Sequence, residues 1–253
     1  MLLPCSLLKI WNMNKFTGVL GVYNCQGAAW SFVEKKTTFH HAGVGALTCG
    51  VKSSDVHLVS EAATDPDQWS GDCAVYRHGS GDLAVLLDGA ALPVSLKVLE
   101  QDILTVSPIK VRAQCQMSPC LILKFADCEL TDGAMDRAIA CRTWHPGSGS
   151  PPVGLVDMFN SGAAVEGLTY HLLDGGKLVG DGGSACRSEE AVGLACMEVR
   201  GRGRFGAYAS VRPRRCMVGS VEMEFSYDPS SRLVTLQLEE MPGERVHKIV
   251  VEL

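Results

Sequence analysis

Short runs of alternating apolar and polar residues recur along this chain, at 7–12, 19–24, 56–60, 73–78 and 94–99, and turns rich in Gly, Asp, Ser and Pro separate them. A period of two sends successive side chains to opposite faces, so each run predicts a strand. The pattern is plainest near the end, where Val221, Met223, Phe225 and Tyr227 alternate with Glu222, Glu224 and Ser226. One face is then apolar and the other wet. Asp228-Pro229-Ser230-Ser231 turns the chain, and the runs 233–238 and 246–253 continue the alternation, which predicts a three-strand meander. Two stretches break the pattern. Residues 112–145 carry Cys115, Cys120, Cys128 and Cys141 without alternation, and 127–140 within them reads as a short helix. Residues 175–190, rich in Gly and Ser, read as a mobile surface loop without chemistry. The expected class is all-β, an antiparallel β-sandwich.

Composition narrows the picture. With 253 residues the chain can bury a sizeable core, and sandwiches of this size commonly stay one domain, so one principal domain is expected. A hydrophobic fraction of 46% and a charged fraction of 20% are near globular values, which favour neither a disordered nor a coiled-coil reading. The net charge of −5 argues against nucleic acid and anionic membranes as partners and suits neutral or small polar ligands. Asp88, Lys97 and Asp157 interrupt the longest apolar candidates, so no membrane span of roughly 18–20 residues is predicted. The opening residues 1–8 lack a basic leader and a small-residue cleavage site, and make a poor signal peptide. The 11 cysteines are odd in number and scattered, with no C-x-x-C pair; this fits reduced thiols better than a disulfide framework or a zinc site. A cytoplasmic location is expected.

Several groupings have the residue types of a functional site. Gly201-Arg202-Gly203-Arg204-Phe205-Gly206 has the G-x-G-x-x-G spacing of a dinucleotide loop and follows a plausible strand at 196–200. A pyrophosphate site needs a helix opening at the third glycine, so that free N–H groups face the phosphate. Here 207–211 reads as strand and Pro213 denies a helix, so a glycine-permitted turn or bulge is expected and no cofactor. Arg200, Arg202, Arg204, Arg212, Arg214 and Arg215 crowd the same region. They have the chemistry to hold phosphate or an acidic partner, but the net negative charge favours a solvated or interdomain face. Glu61, Asp65, Asp67 and Asp72 suggest calcium or a glycosidase carboxylate pair. Thr-Asp-Pro-Asp-Gln-Trp-Ser-Gly-Asp is instead turn chemistry around Pro66 and Gly71, without the closing bidentate Glu of a calcium loop, so no metal is expected. Cys73 with His78, or Cys25 with His40 and His41, have the types of nucleophile and base, yet nothing in sequence orients an imidazole. Buried cysteines and surface histidines are expected. Trp11, Trp30 and Trp69 offer faces on which a sugar ring can stack, with core packing expected for Trp11 and Trp30.

The longest signal is a resemblance. The segments LLKIWNMNKFTGVLGVYNCQGAAW at 7–30, EAATDPDQWSGDCAVYRH at 61–78, ALPVSLKVLEQDILTVSPIKV at 91–111, VGLVDMFNSGAAVEGLTY at 153–170 and GRFGAYASVRPRRCMVG at 203–219 closely resemble the plant raffinose synthase family, which includes seed-imbibition proteins and alkaline α-galactosidases. That family joins an N-terminal β domain, a (β/α)₈ barrel and an antiparallel β domain. The resemblance implies that this chain is the last of these, with the barrel absent. Members transfer an α-galactosyl group from galactinol to sucrose, or hydrolyse α-galactosides, by a retaining double displacement. Such chemistry needs two carboxylates about 5 to 5.5 Å apart. Both family aspartates lie in the barrel, upstream of the segment matching residue 7. The resemblance therefore brings no catalytic residue to this chain, leaves substrate-binding residues unknown, and implies no cofactor. It makes the barrel of the same polypeptide the packing partner, and galactinol and sucrose or other α-galactosides the substrates of the intact parent.

Two departures shape the expected organisation. Residues 1–5 replace the connection from the barrel, so the start is expected to be internal, and 112–146 have no counterpart, which suggests a retained intron or gene-model error. The expected layout is a non-matching start at 1–5 and a single C-terminal β domain from 6–111 and 147–253, interrupted by an irregular 112–146. Three readings remain open: a structural part of a galactosyltransferase, the same part of an alkaline α-galactosidase, or a noncatalytic sugar-binding or interaction module.

Overall fold

The computed structural model of this chain describes residues 7–26, 28–39, 45–63, 66, 69–109, 150–174, 177–178, 192–240 and 245–253. The segment 112–146, its helix reading at 127–140, most of the 175–190 loop, and Asp65, Asp67, His40 and His41 lie outside the described residues.

The first half holds β1 (Leu8–Met13), β2 (Gly18–Tyr23), β3 (Ala28–Ser31), β4 (Lys36–Phe39), β5 (Leu47–Val51), β6 (Cys73–Arg77), β7 (Leu83–Leu86), β8 (Leu92–Leu96) and β9 (Gln101–Pro108). Strands β1-β2-β9-β6-β7 form one antiparallel sheet, while among the described residues β3 pairs only with β4 and β5 only with β8. Alternation builds the core between that sheet and the β5–β8 ribbon: Leu20 and Val22, Cys73 and Val75, and Leu104 and Val106 point inward to meet Val51, Val94 and Leu96. At its end the buried Asp102 carboxylate accepts two hydrogen bonds from Arg77, from Nε at 2.9 Å and Nη2 at 2.7 Å, and one from the Gly79 N–H at 3.2 Å. A charge this buried is tolerated because it is both paired and hydrogen-bonded.

The second half holds β10 (Pro152–Leu155), β11 (Val165–Asp174), β12 (Lys177–Leu178), β13 (Val192–Arg200), β14 (Gly203–Tyr208), β15 (Arg215–Val218), β16 (Val221–Met223), β17 (Phe225–Asp228), β18 (Leu233–Leu238) and β19 (Val246–Glu252). Two antiparallel sheets, β10-β14-β18-β17 and β12-β11-β13-β19-β15-β16, pack face to face as a sandwich. Ala195, Met197 and Val199 of β13 and Ile249 and Val251 of β19 meet Phe205 and Ala207 of β14 and Val234, Leu236 and Leu238 of β18. Phe205 is fully buried there, and truncating it to Ala should cost about 3–5 kcal/mol.

Two expectations fail at identifiable points. Residues 56–60 form no strand: they bend out of a 3-10 turn at Ser53–Asp55 and into another at Val59–Ala62, with Val56, Val59 and Ala62 buried at a spacing of three and Leu58 at φ 66°. The terminal meander also divides. Strands β17 and β18 pair, but β19 crosses to the other sheet between β13 and β15, and the alternating run at 221–227 is itself shared between β16 and β17 in different sheets. Alternation states which face of a strand is buried; it does not state which neighbour supplies the hydrogen bonds.

The two halves meet across the outer face of β6 and β9. Ala74, Tyr76 and Leu83 pack with Val153, Val156 and Tyr208 to form a third apolar cluster. Around it run hydrogen bonds: Ser107 Oγ donates to the Pro152 carbonyl at 2.7 Å, Asn14 Nδ2 to Asn160 Oδ1 at 2.7 Å, and Lys15 Nζ to the Glu166 carbonyl at 2.8 Å. Close approach at this seam requires glycine twice. A Cβ at Gly162 would land on the Thr17 hydroxyl, and one at Gly154, where φ is 97°, on the Ser161 carbonyl.

Candidate functional site

The grouping at the seam that most resembles a catalytic relay was not visible in sequence. Residue His78 follows β6, Thr105 lies on β9, and Ser161 opens the short turn before β11. Thr105 Oγ1 lies 2.8 Å from Ser161 Oγ and 3.0 Å from His78 Nε2, so a serine, a threonine and an imidazole form one hydrogen-bonded line. Burial sets what this line can do. Thr105 and Ser161 are wholly inaccessible, so no substrate carbonyl or sugar carbon can reach the Ser161 oxygen. The His78 ring meets Tyr76 edge-on at 5.0 Å and Phe159 at 6.2 Å. Desolvation holds its pKa below the ordinary histidine value, against the raising effects of a hydrogen bond to the Val156 backbone and of nearby Asp102. A neutral imidazole then serves the seam as a hydrogen-bonding side chain. Sequence carried no sign of this cluster, because Ser161 stands 56 positions beyond Thr105 and none of the three sits in a motif.

The residues nominated from sequence do not converge. Cys73 and His78 lie five positions apart on and just after one strand and so on opposite faces, Cys73 in the first core and His78 on the seam. Desolvation, followed by Asp72 and Asp88, pushes the Cys73 thiol far up, away from the thiolate a nucleophile requires. Cys25 is exposed. Asp72 serves a turn: its Oδ1 accepts from the Asp88 N–H at 3.0 Å and its carbonyl accepts from Trp69 Nε1 at 2.9 Å. Glu61 sits exposed in the 3-10 turn at Val59–Ala62. Among the described residues no three His, Cys, Asp or Glu side chains gather as a metal site.

The glycine-rich segment crosses from β13 to β14. Gly201 and Gly203 hold φ of 105° and 119°, and the backbone continues as strand, so its N–H groups pair with β18 instead of facing an anion. The arginines around it are largely matched by carboxylates: Arg200 with Glu166, Arg202 with Glu240, Arg204 with Asp157 and Arg215 with Glu252, while Arg212 lies 5.4 Å from the Phe225 ring centre. All six are exposed, and four of them are paired with carboxylates as surface ion pairs, which stabilise only weakly.

The tryptophans require a correction. Core packing was expected for Trp11 and Trp30, but they are 41% and 54% exposed. Trp11 lies on the edge strand β1, with His57 at 5.8 Å, and Trp30 on the isolated β3–β4 ribbon. Trp69 is the one packed against the first core, its indole N–H bonded. No helix among the described residues is long and apolar enough to cross a membrane.

Comparison with known proteins accounts for nearly the whole chain. The family described as Raffinose synthase or seed imbibition protein Sip1 matches residues 4–135 and 147–238. Most of the segment expected to lack a counterpart, 112–135, thus lies inside the first match, and 136–146 falls between the two. Probable galactinol–sucrose galactosyltransferase 6 of Arabidopsis thaliana is 46% identical over 250 residues, which are 98% of this chain and 27% of that protein. Probable galactinol–sucrose galactosyltransferase 1 of the same plant is 37% identical over 234 residues, 92% of this chain and 24% of that protein. The galactinol–sucrose galactosyltransferase of Pisum sativum is 27% identical over 233 residues, 92% of this chain and 23% of that protein. The chain spans about a quarter of the length of these relatives.

Proposed function

The chain belongs to the raffinose synthase and seed imbibition protein family, and on that premise we propose that it is the supporting β domain of a galactinol–sucrose galactosyltransferase, with the reaction carried by a barrel outside it. One observation carries this reading: almost all of the chain corresponds to only 27% of a relative named for that transfer. The buried Ser161-Thr105-His78 line fits a supporting role, since it fastens the two halves together and opens to no substrate. In the intact enzyme an α-galactosyl group passes from galactinol to sucrose through retaining double displacement on two carboxylates of the barrel. The domain contributes stiffness and a face for that barrel to rest on.

The proposal also covers organisation and location. Residues 6–111 and 147–253 make one domain, with 112–146 between its two parts. Support comes from the Ser107–Pro152 hydrogen bond, which holds β9 beside β10. Free, buried Cys73 and Cys216 suit a reducing cytoplasm. The test is a graft: this chain replaces the corresponding quarter of the Arabidopsis relative with which it shares 46% identity, with the unaltered relative as control. The graft is expected to make raffinose from galactinol and sucrose. A folded graft that makes none, beside an active control, overturns the reading.

A further inference from the structure

Among the described residues the β3–β4 ribbon is a two-stranded sheet of its own. Its strands pair Ala28 with Phe39 through Ser31 with Lys36, and neither joins another sheet. A lone two-stranded hairpin is marginal in water and gains its stability from packing against something. Its tip is unusual in composition. Turn positions ordinarily carry Gly, Asn, Asp or Pro, yet here they carry Phe32 and Val33, 86% and 94% exposed, beside Trp30 at 54%. Forming the turn does not require them. The Ser31 hydroxyl accepts the Glu34 N–H at 3.2 Å, Lys35 supplies the left-handed residue at φ 51°, and Glu34 pairs with Lys36 at 2.9 Å. The polar residues shape the loop, and the apolar ones are left presented on a preformed tip, which lowers the ordering cost of docking.

We propose that this ribbon is the arm by which the domain docks onto the remaining three-quarters of the polypeptide, with Phe32 and Val33 entering an apolar crevice there and Trp30 lying against its rim. The inference rests on the proposed function for the identity of that partner. Two observations choose it over a second copy or a sugar: the relatives carry about three times this chain's length beyond the matched region, and the tip projects two adjacent apolar side chains where a sugar site would need convergent polar groups.

Hydrogen exchange of the backbone amides in 28–39 provides the test, compared between the isolated chain and the grafted enzyme. The arm amides are expected to exchange roughly tenfold or more slowly in the graft. Changing Trp30, Phe32 and Val33 to Ser together should remove that protection and lower the melting temperature of the graft while leaving that of the isolated chain unchanged. Equal exchange in graft and isolated chain overturns the proposal. So does protection of the isolated chain that grows with its own concentration, which identifies a second copy, or that appears on adding galactinol, which identifies a sugar. An inactive graft with a protected arm refutes the proposed function and leaves the docking arm standing; an active graft with an unprotected arm does the reverse.

Discussion

Replacing Thr105 with Val separates a structural hydroxyl from a catalytic one. Valine keeps the shape of threonine but removes the oxygen that joins Ser161 Oγ at 2.8 Å to His78 Nε2 at 3.0 Å. His78 is only partly buried, so the loss of its partner costs it less. Ser161 is fully buried and loses its partner outright, which costs about 1–3 kcal/mol. For a chain of this size each kcal/mol corresponds to about 2–4 °C, so a loss of roughly 2 kcal/mol lowers the melting temperature by about 4–8 °C. The second half of the cycle is more telling. Adding Ser161→Ala removes the stranded hydroxyl, so the double variant should be more stable than the sum of the single effects by about 0.5–3 kcal/mol. Urea unfolding of the parent, both single variants and the double variant measures this coupling. Additive losses, agreeing within about 0.3 kcal/mol, would refute the seam as drawn.

The other predictions are more local. Gly219 has φ 61° with open space around it, so Gly219→Ala should cost about 1–2 kcal/mol from the backbone alone, whereas Gly154→Ala adds a clash with the Ser161 carbonyl and a further 1–3 kcal/mol or so; equal losses would contradict the packing at the seam. The Asp228 carboxyl, bonded by the hydroxyls of Ser231 and Ser230, has its pKa lowered from 3.8 to about 2. Because the folded value is depressed, its stabilising effect is complete above about pH 4 and is lost as pH falls through 2, and a carboxyl resonance titrating near the ordinary aspartate value would count against the turn geometry. Cys216, pushed up to about 12 by burial, and Cys73 should escape alkylation at pH 8 while Cys25 reacts, as read by peptide mass mapping. Replacing 112–146 by a short Gly/Ser linker should leave a folded chain with nearly unchanged melting temperature, since Ser107 and Pro152 already hold the flanking strands together; failure to fold would show that the segment carries core.

Several strand positions were legible where one face is buried and the other wet. In β18, Val234, Leu236 and Leu238 point inward from a sequence whose alternation says so, and β2, β6 and β8 lie within a few residues of their expected runs. The alternation did not reveal partners. Val246 onward reads as the next strand of a meander, yet it lies between β13 and β15, because long-range pairing is decided by which faces complete a shared core. The central strand β14, expected at 207–211, was harder to place for a related reason. Both its faces are buried, Phe205 and Ala207 against the sandwich core and Tyr208 on the seam, so the polar half of the alternation is missing. The tryptophans misled because an aromatic side chain has the same sequence signature whether it fills a core or waits on an edge. The seam cluster left no trace in sequence at all, being made of ordinary Ser, Thr and His residues brought together only by the docking of the two halves.

The most direct test of the central claim uses the 253-residue chain by itself. It would be incubated with galactinol and sucrose, and raffinose measured as a function of protein concentration. A folded chain should give no product above the protein-free blank at any concentration, because Ser161 and Thr105 are buried in the seam and the reacting carboxylates are proposed to lie in the barrel outside this domain. Product formed in proportion to the amount of chain would place the chemistry inside this domain and contradict the account.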